Sequence, residues 1–177
     1  RALMLALGEG PALRAGAEAV ARACIAQRLH GRPWSVLLQR AAAHGESALK
    51  AVEEQLAANL PYLPAKEQAR AKREATEAGR RAERRARTQA LDQALGLVGL
   101  WLRDVAVTVD GAPELVHHSD RVAAVAEDAA RFADAHGLRA GMALVDETRF
   151  ALRVVNATPE LAVEALAFRL ERVLAPR

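Results

Sequence analysis

Apolar residues recur every three or four positions along most of the chain, and the longest such pattern runs from Leu63 to Val109. One stripe of this pattern consists of alanines followed by larger residues: Ala71, Ala75, Ala78, Ala82, Ala86, Ala90, Ala94, Leu97, Trp101 and Val105. This spacing is typical of one face of an α-helix. From Leu91 onwards a second row of leucines and valines widens the apolar face, which predicts burial of that half.

The ends of this long helix are marked by breakers of helical structure. Pro64 suits the first helical position, and Asp110-Gly111 followed by Pro113 suits a helix end. An unbroken helix of this length would extend roughly 65 Å, which exceeds the width of a compact domain of this size. We therefore expect its charged half to project.

Shorter helical patterns precede the long helix. The sequence predicts one helix from Pro11 to Leu29, a second from Trp34 to Ala43 and a third from Leu49 to Leu60. His44-Gly45 is expected to interrupt the chain between the second and the third. Residues 1–10, RALMLALGEG, read as the tail of a preceding element, and the initial arginine suggests a fragment of a longer protein.

Further helical patterns follow the long helix. Glu114 to Val116 suggests a short extended segment, and Ser119-Asp120 an N-cap for a helix that ends at His136-Gly137. Another helix is expected from Leu138 to Val155. Thr158-Pro159-Glu160 combines a capping hydroxyl, a proline at the first helical position and an acid in the first turn. The prediction is an all-α bundle of five to six helices with one long, partly projecting charged helix.

Composition supports a helical protein in a reducing compartment. Apolar residues make up 51% of the chain but aromatic residues only 3%, which favours helices built from Ala and Leu over sheets. Cys24, the single cysteine, is predicted to be a small core residue. Because the sequence has no signal peptide and no apolar run long enough for a membrane span, we expect a cytoplasmic protein with no membrane contact.

Positive charge is concentrated between Lys66 and Arg87. This stretch holds nine basic and four acidic residues, a surplus of five against a net charge of +3 for the whole chain. One hypothesis is a nucleic-acid-binding helix that contacts phosphates through a group of arginines: Arg80, Arg81, Arg84 and Arg85. The alternative is a solvated helix with internal ion pairs, such as Glu77 with Arg81 and Glu83 with Arg87, since no aromatic residues are interleaved for base stacking.

No catalytic or cofactor-binding motif is present in the sequence. Phosphate-binding loops, dinucleotide fingerprints, Cys-x-x-Cys pairs, zinc-protease motifs and nucleophile elbows are all absent, so we expect neither an enzyme nor a cofactor. His117, His118 and Asp120 suggest a metal site only weakly, because adjacent side chains diverge; a solvated turn is favoured. Trp101 is expected to be buried. Arg103 and Asp104 are predicted to face solvent or to pair with a neighbouring chain, with solvent favoured.

Four segments in order resemble the delta-prime family of the bacterial DNA polymerase III clamp loader, in its C-terminal region. These segments are RRARTQALDQAL at 84–95, Trp101-Leu102-Arg103-Asp104, Leu115 to Asp120, and NATPELAVEA at 156–165. His118 stands where this family usually has Asn. The resemblance implies that residues 1–10 join a missing AAA+ domain, and that residues 11–177 form a helical collar domain that performs no chemistry.

The resemblance also implies partners and candidate residues. The collar would join this chain to the other clamp-loader subunits in a hetero-oligomeric ring of five, with DNA contact secondary. The residues that match the family motifs are candidates for structural or subunit-contact roles: Trp101, Arg103, Asp104, Asn156, Pro159 and Glu164. By this resemblance Asn156 would hold the turn before the last helix, Glu164 would help to orient that helix, and Arg103 and Asp104 would reach the last helix or a partner.

Overall fold

The computed structural model describes residues 10–175, and helices account for most of them. There are six α-helices in this range: α1 (Gly10–Ile25), α2 (Ser35–Asn59), α3 (Ala65–Val109), α4 (Val122–Ala129), α5 (His136–Phe150) and α6 (Pro159–Val173). Two 3-10 turns, Leu60–Tyr62 and Pro113–Leu115, and a π-helical turn, Ala151–Val155, lie between them. Residues 10–175 contain no strand, which confirms the all-α prediction. The expected junction at residues 1–10 lies outside the described residues apart from Gly10, which begins α1.

The chain forms two compact units. Within residues 10–175, unit 1 comprises residues 10–38 and 92–175, and unit 2 comprises Gln39–Leu91. Helices α2 and α3 each contribute residues to both units. None of the helices in the described range has the length and apolarity that crossing a lipid bilayer requires.

The second half of α3 is the central helix of unit 1. Its buried residues occupy most of its circumference: Asp92, Ala94, Leu95, Val98, Trp101, Leu102, Asp104, Val105 and Ala106. Side chains from α1, α5 and α6 complete the core, including Leu13, Val20, Val145 and Leu170. The predicted burial of this half of the helix is confirmed, as is that of Cys24, which is fully buried on α1.

Helices α5 and α6 approach each other closely in unit 1. A Cβ atom added at Gly137 would lie 2.5 Å from the carbonyl oxygen of Val173, so only glycine fits at this point. Between the two helices, the π-helical turn ends at Asn156, whose φ of 55° is in the left-handed region.

Unit 2 is a helical hairpin made from the rest of α2 and α3. Glycines permit close contact at two places along it. A Cβ at Gly45 would lie 3.2 Å from the carbonyl oxygen of Glu83, and one at Gly79 would lie 2.6 Å from Leu49 Cδ1. Nearer the hairpin turn, half-buried Val52 and Leu56 share a shallow groove with the alanines of α3.

Several predicted helix boundaries before the long helix are wrong. Helix α2 continues through His44-Gly45, because Gly45 serves close packing against α3 and an interior glycine costs a helix only about 1 kcal/mol. The long helix begins at Ala65, one residue after Pro64.

Boundaries after α3 also differ from the prediction. The segment expected to be extended at Glu114 to Val116 is largely the 3-10 turn Pro113–Leu115. Helix α4 ends at Ala129, and His136-Gly137 begins α5 instead of ending the preceding helix. Arg121 precedes α4 in place of a Ser119-Asp120 cap. Pro159 occupies the start of α6 as predicted, but Thr158 makes no side-chain capping hydrogen bond.

Candidate functional site

Asp104 is a fully buried carboxylate on the central helix of unit 1. Its Oδ1 accepts hydrogen bonds from the His117 backbone N–H (3.0 Å) and the Arg103 guanidinium (3.0 Å). Its Oδ2 accepts them from the His118 backbone N–H (2.8 Å) and His118 Nδ1 (2.7 Å). Four donors fill the acceptor positions of a carboxylate, so Asp104 anchors the loop that carries the two histidines.

These donors determine the ionisation of Asp104. Burial disfavours the charged form, but the two backbone N–H groups and the His118 ring together outweigh it, and the pKa of Asp104 lies below its ordinary value of 3.8. The carboxylate therefore stays ionised at neutral pH. The bond to Nδ1 requires a proton on that nitrogen, which fixes the ring orientation of buried His118.

Trp101 and Asp128 form a second buried contact in unit 1. Trp101 Nε1 donates to Asp128 Oδ2 at 2.9 Å, and its ring lies 5.3 Å from the His118 ring, measured between centroids. Asp128 Oδ1 accepts a hydrogen bond from Arg22 Nε at 3.2 Å, and Arg22 also pairs with Glu127 at 2.6 Å. Helices α1, α3 and α4 are thus joined through one indole and one carboxylate.

The pKa values of the two buried carboxylates shift in opposite directions. Burial raises the pKa of Asp128, and the hydrogen bonds from Trp101 and Arg22 offset this only in part. Asp104 has four donors where Asp128 has two, which accounts for the difference. Both carboxylates are occupied by donors from this chain, an arrangement suited to holding helices together.

Asp92 forms a third polar contact of the central helix. Arg149 Nε contacts its Oδ1 at 2.9 Å, and Arg153 Nε lies 3.4 Å from the same oxygen. The Arg149 guanidinium also pairs with Asp146 at 3.1 Å. Asp92 belongs to the family-like segment ALDQAL, and it ties the start of the central helix to the end of α5.

The other residues of the family-like motifs lie elsewhere in unit 1. Asn156 occupies the left-handed position of the turn before α6, and Pro159 is the first residue of that helix. Glu164 accepts a hydrogen bond from Arg32 at 3.0 Å, which links α6 to the chain between α1 and α2. Asn156 and Pro159 therefore act locally, whereas Glu164 makes a distant contact.

The prediction that Arg103 and Asp104 face solvent is wrong for Asp104. Neither residue reaches α6: Arg103 bonds Asp104 and also the Leu115 carbonyl oxygen at 3.1 Å. His118 is buried and so is not part of a solvated turn, whereas His117 is exposed. The prediction that Trp101 is buried is confirmed, at 1% exposure.

Three residues of these buried contacts, Asp92, Asp128 and Arg149, are not among the predicted site residues. A signal was present for Asp92, since a lone acid between Leu91 and Ala94-Leu95 interrupts a segment that is otherwise buried. Such an acid requires a cationic partner. The sequence held no comparable signal for Arg149, because a basic residue at the end of an amphipathic helix is ordinarily solvated.

The arginines proposed for nucleic-acid contact lie in unit 2, on the charged part of α3. All four are exposed: Arg80, Arg81, Arg84 and Arg85. Arg81 lies 3.6 Å from Glu77, as the helical spacing predicted. Within the described part of the chain, Arg80, Arg84 and Arg85 make no ion pair.

Within residues 10–175, no group of three His, Cys, Asp or Glu side chains is placed to hold a metal ion. Of the residues suggested as metal ligands, Asp120 pairs with Arg14 and His118 with Asp104.

In comparisons with protein-family models, curated proteins and solved structures, the chain matched none of them.

Proposed function

We propose that the chain is the non-catalytic helical collar domain of a bacterial clamp-loader delta-prime subunit, which supports the loading of sliding clamps in DNA replication. One observation carries the proposal: the two family-like segments on α3 bind partners far along the chain and so help to hold unit 1 together. Asp92, Trp101 and Asp104 each anchor a different neighbour of the central helix. A motif whose residues serve the packing of a helical domain is consistent with an assembly module.

The chemistry of the buried carboxylates supports a structural role. A general base needs a free lone pair directed at a substrate, and a nucleophile needs an accessible atom. Asp104 accepts four hydrogen bonds from its own chain and is fully buried. Cys24 is likewise buried, and burial raises the pKa of its thiol to about 12, which disfavours the thiolate.

The last two helices and the turn between them carry a group of exposed apolar side chains. Five large apolar residues there are more than half exposed: Phe150, Val154, Val155, Leu161 and Phe168. Single exposed apolar residues are common, but most of those in the described chain belong to this one helical hairpin. Phe168 packs edge-on against Trp34, with 5.6 Å between ring centroids, so its position is fixed by the core. We propose that this hairpin receives another collar domain.

Co-expression with the other clamp-loader subunits of the same organism tests the proposal. A tagged subunit is purified by affinity and size exclusion, and we expect this chain to co-elute at a defined stoichiometry. The double variant Leu161→Asp, Phe150→Asp should reduce co-elution at least tenfold. Tyr62→Asp, which changes an 87% exposed residue of unit 2, is the matched control and should co-elute normally.

Two results would contradict the collar assignment. One is elution of the chain alone while the remaining subunits assemble without it. The other is equal loss of co-elution in the double variant and in Tyr62→Asp. Circular dichroism of each variant shows whether the helices are intact, so a folding defect is distinguishable from a lost contact.

A further inference from the structure

A straight row of cations runs along the charged part of α3 in unit 2. It consists of Lys66, Arg73, Arg80 and Arg84, which we call the basic stripe. Successive members are seven, seven and four residues apart, so they lie on nearly the same face of the helix. All four side chains are exposed. At about 1.5 Å per residue the basic stripe extends roughly 27 Å.

Two of the four acids between Lys66 and Arg87 are paired with arginines outside the basic stripe, including Glu77, which lies four residues after Arg73 on the same face. Arg70 contacts Glu74 at 2.7 Å, and Arg81 lies 3.6 Å from Glu77. Within the described residues, the four members of the stripe make no ion pair themselves. Their charges are therefore available to an external anion.

The opposite side of α3 packs against α2. Gly79 meets Leu49, and the half-buried Ala71 and Ala75 share a groove with Val52. This packing directs the basic stripe away from the hairpin interior. It also presents the cations on a continuous helix, which lowers the entropic cost of arranging them for a ligand.

We propose that the basic stripe binds the phosphate backbone of double-stranded nucleic acid without reading its bases. The seven-residue step is about 10 Å, close to the roughly 12 Å width of the major groove. Successive members can thus contact phosphates on the two sides of a groove. Arginine dominates the stripe, and its planar guanidinium is suited to paired hydrogen bonds with phosphate oxygens.

Other anionic partners fit these observations less well. Single strands are usually held by aromatic stacking, and residues 65–91 contain no aromatic residue. A membrane surface requires apolar side chains beside the cations, but here the apolar side of α3 is turned toward α2. An acidic protein would present carboxylates at irregular positions. The phosphates of a duplex repeat at regular intervals, and they do so over the whole length of the basic stripe.

Fluorescence anisotropy of the whole chain with a labelled 20-base-pair duplex of arbitrary sequence tests this proposal. Four phosphate contacts predict a slope of log K against log salt of about −3 to −4, which is roughly a 100-fold loss of affinity between 50 and 200 mM salt. The variant Arg73→Gln, Arg80→Gln, Arg84→Gln should bind at least tenfold more weakly at 50 mM salt. Its slope should be close to −1.

A control variant removes the same charge from unit 1. It replaces three exposed arginines, Arg28, Arg131 and Arg172, with glutamine. If the basic stripe binds the duplex, this variant should keep the wild-type slope of log K against log salt. That result would show that net charge alone does not determine binding. Helical circular dichroism of both variants confirms that each is folded.

Four outcomes would overturn the proposal: no binding at 50 mM salt, equal weakening in both variants, tighter binding of a single strand of the same length, or stronger competition by a polyglutamate peptide than by unlabelled duplex. None of these outcomes depends on co-elution with clamp-loader subunits. The basic stripe and the collar assignment can therefore fail separately.

Discussion

At the scale of single residues, unit 1 is stabilised by hydrogen bonds to carboxylates that are buried in its core. Asp104 lies among buried leucines and valines, where an unpaired charge would cost several kcal/mol. Its four donors offset that cost and hold the chain after α3 in place. The same four bonds make the stability of this region dependent on pH.

Asp104→Asn should destabilise the folded chain by about 3 kcal/mol at pH 7, because it breaks a buried, hydrogen-bonded charge network. The pKa of Asp104 is lowered by folding from 3.8, so its contribution is present above about pH 4 and is lost as the pH falls through the folded value. The difference between wild type and variant should therefore shrink below pH 4. Urea unfolding between pH 2.5 and 7, followed by tryptophan fluorescence, measures it.

Two further carboxylates serve as references for that experiment. Asp120→Asn alters an exposed acid and should have a much smaller effect at pH 7. The pKa of Asp128 shifts in the opposite direction, because folding raises it. The contribution of Asp128 to stability is therefore present below about pH 4 and is lost as the pH rises through the folded value. A constant difference between wild type and Asp104→Asn across this pH range would contradict the assignment of a lowered pKa to Asp104.

The sequence positions of the partners explain which of these contacts can be predicted from the sequence. The predicted burial of Trp101 follows from its place in an apolar stripe. Asp104, by contrast, is polar, and periodicity predicts that polar residues lie at the surface. Its partner His118 is 14 residues away, Asp128 is 27 from Trp101, and Arg149 is 57 from Asp92. Local patterns contain no information on contacts at such separations.

At the scale of helices, glycines decide which elements can approach each other. The sequence predicts that Gly137 ends a helix, but Gly137 is the second residue of α5, where that helix meets the Val173 carbonyl of α6. Gly45 likewise lies inside α2 against Glu83. A glycine that ends a helix and one that admits a neighbour look alike in sequence, which is why helix types were predicted better than their boundaries.

Gly137→Ala should destabilise the chain by about 1–3 kcal/mol, although alanine is the better helix former. Its Cβ would lie 2.5 Å from a backbone oxygen, and backbone cannot move aside as a side-chain end can. Gly96→Ala is the matched control, since its Cβ would only touch the Arg149 guanidinium at 3.6 Å. That change should be neutral or stabilising by up to about 1 kcal/mol. Equal effects of the two changes on the thermal midpoint would show that helix propensity, not close approach, governs these positions.

At the scale of the whole molecule, the two units differ in charge and in aromatic content. Unit 2 carries eleven basic and seven acidic residues, a surplus of four, so the remainder of the +3 chain has a net charge of −1. Both tryptophans and nearly all the large buried side chains belong to unit 1. Unit 1 is therefore a packed helical unit, whereas unit 2 is a charged hairpin whose two helices meet largely through small side chains.

Shortening the hairpin tests whether unit 1 folds without most of unit 2. Gly45 and Glu83 are in contact across the hairpin, so residues 46–82 can be replaced by a short Gly-Asn-Gly turn joining them. We expect cooperative unfolding reported by Trp34 and Trp101 to persist, with a smaller urea m-value because less surface is buried. The deletion also removes Lys66, Arg73 and Arg80, so duplex binding should weaken at least tenfold while co-elution with clamp-loader subunits is retained. Loss of the cooperative tryptophan transition would instead show that unit 1 requires the hairpin in order to fold.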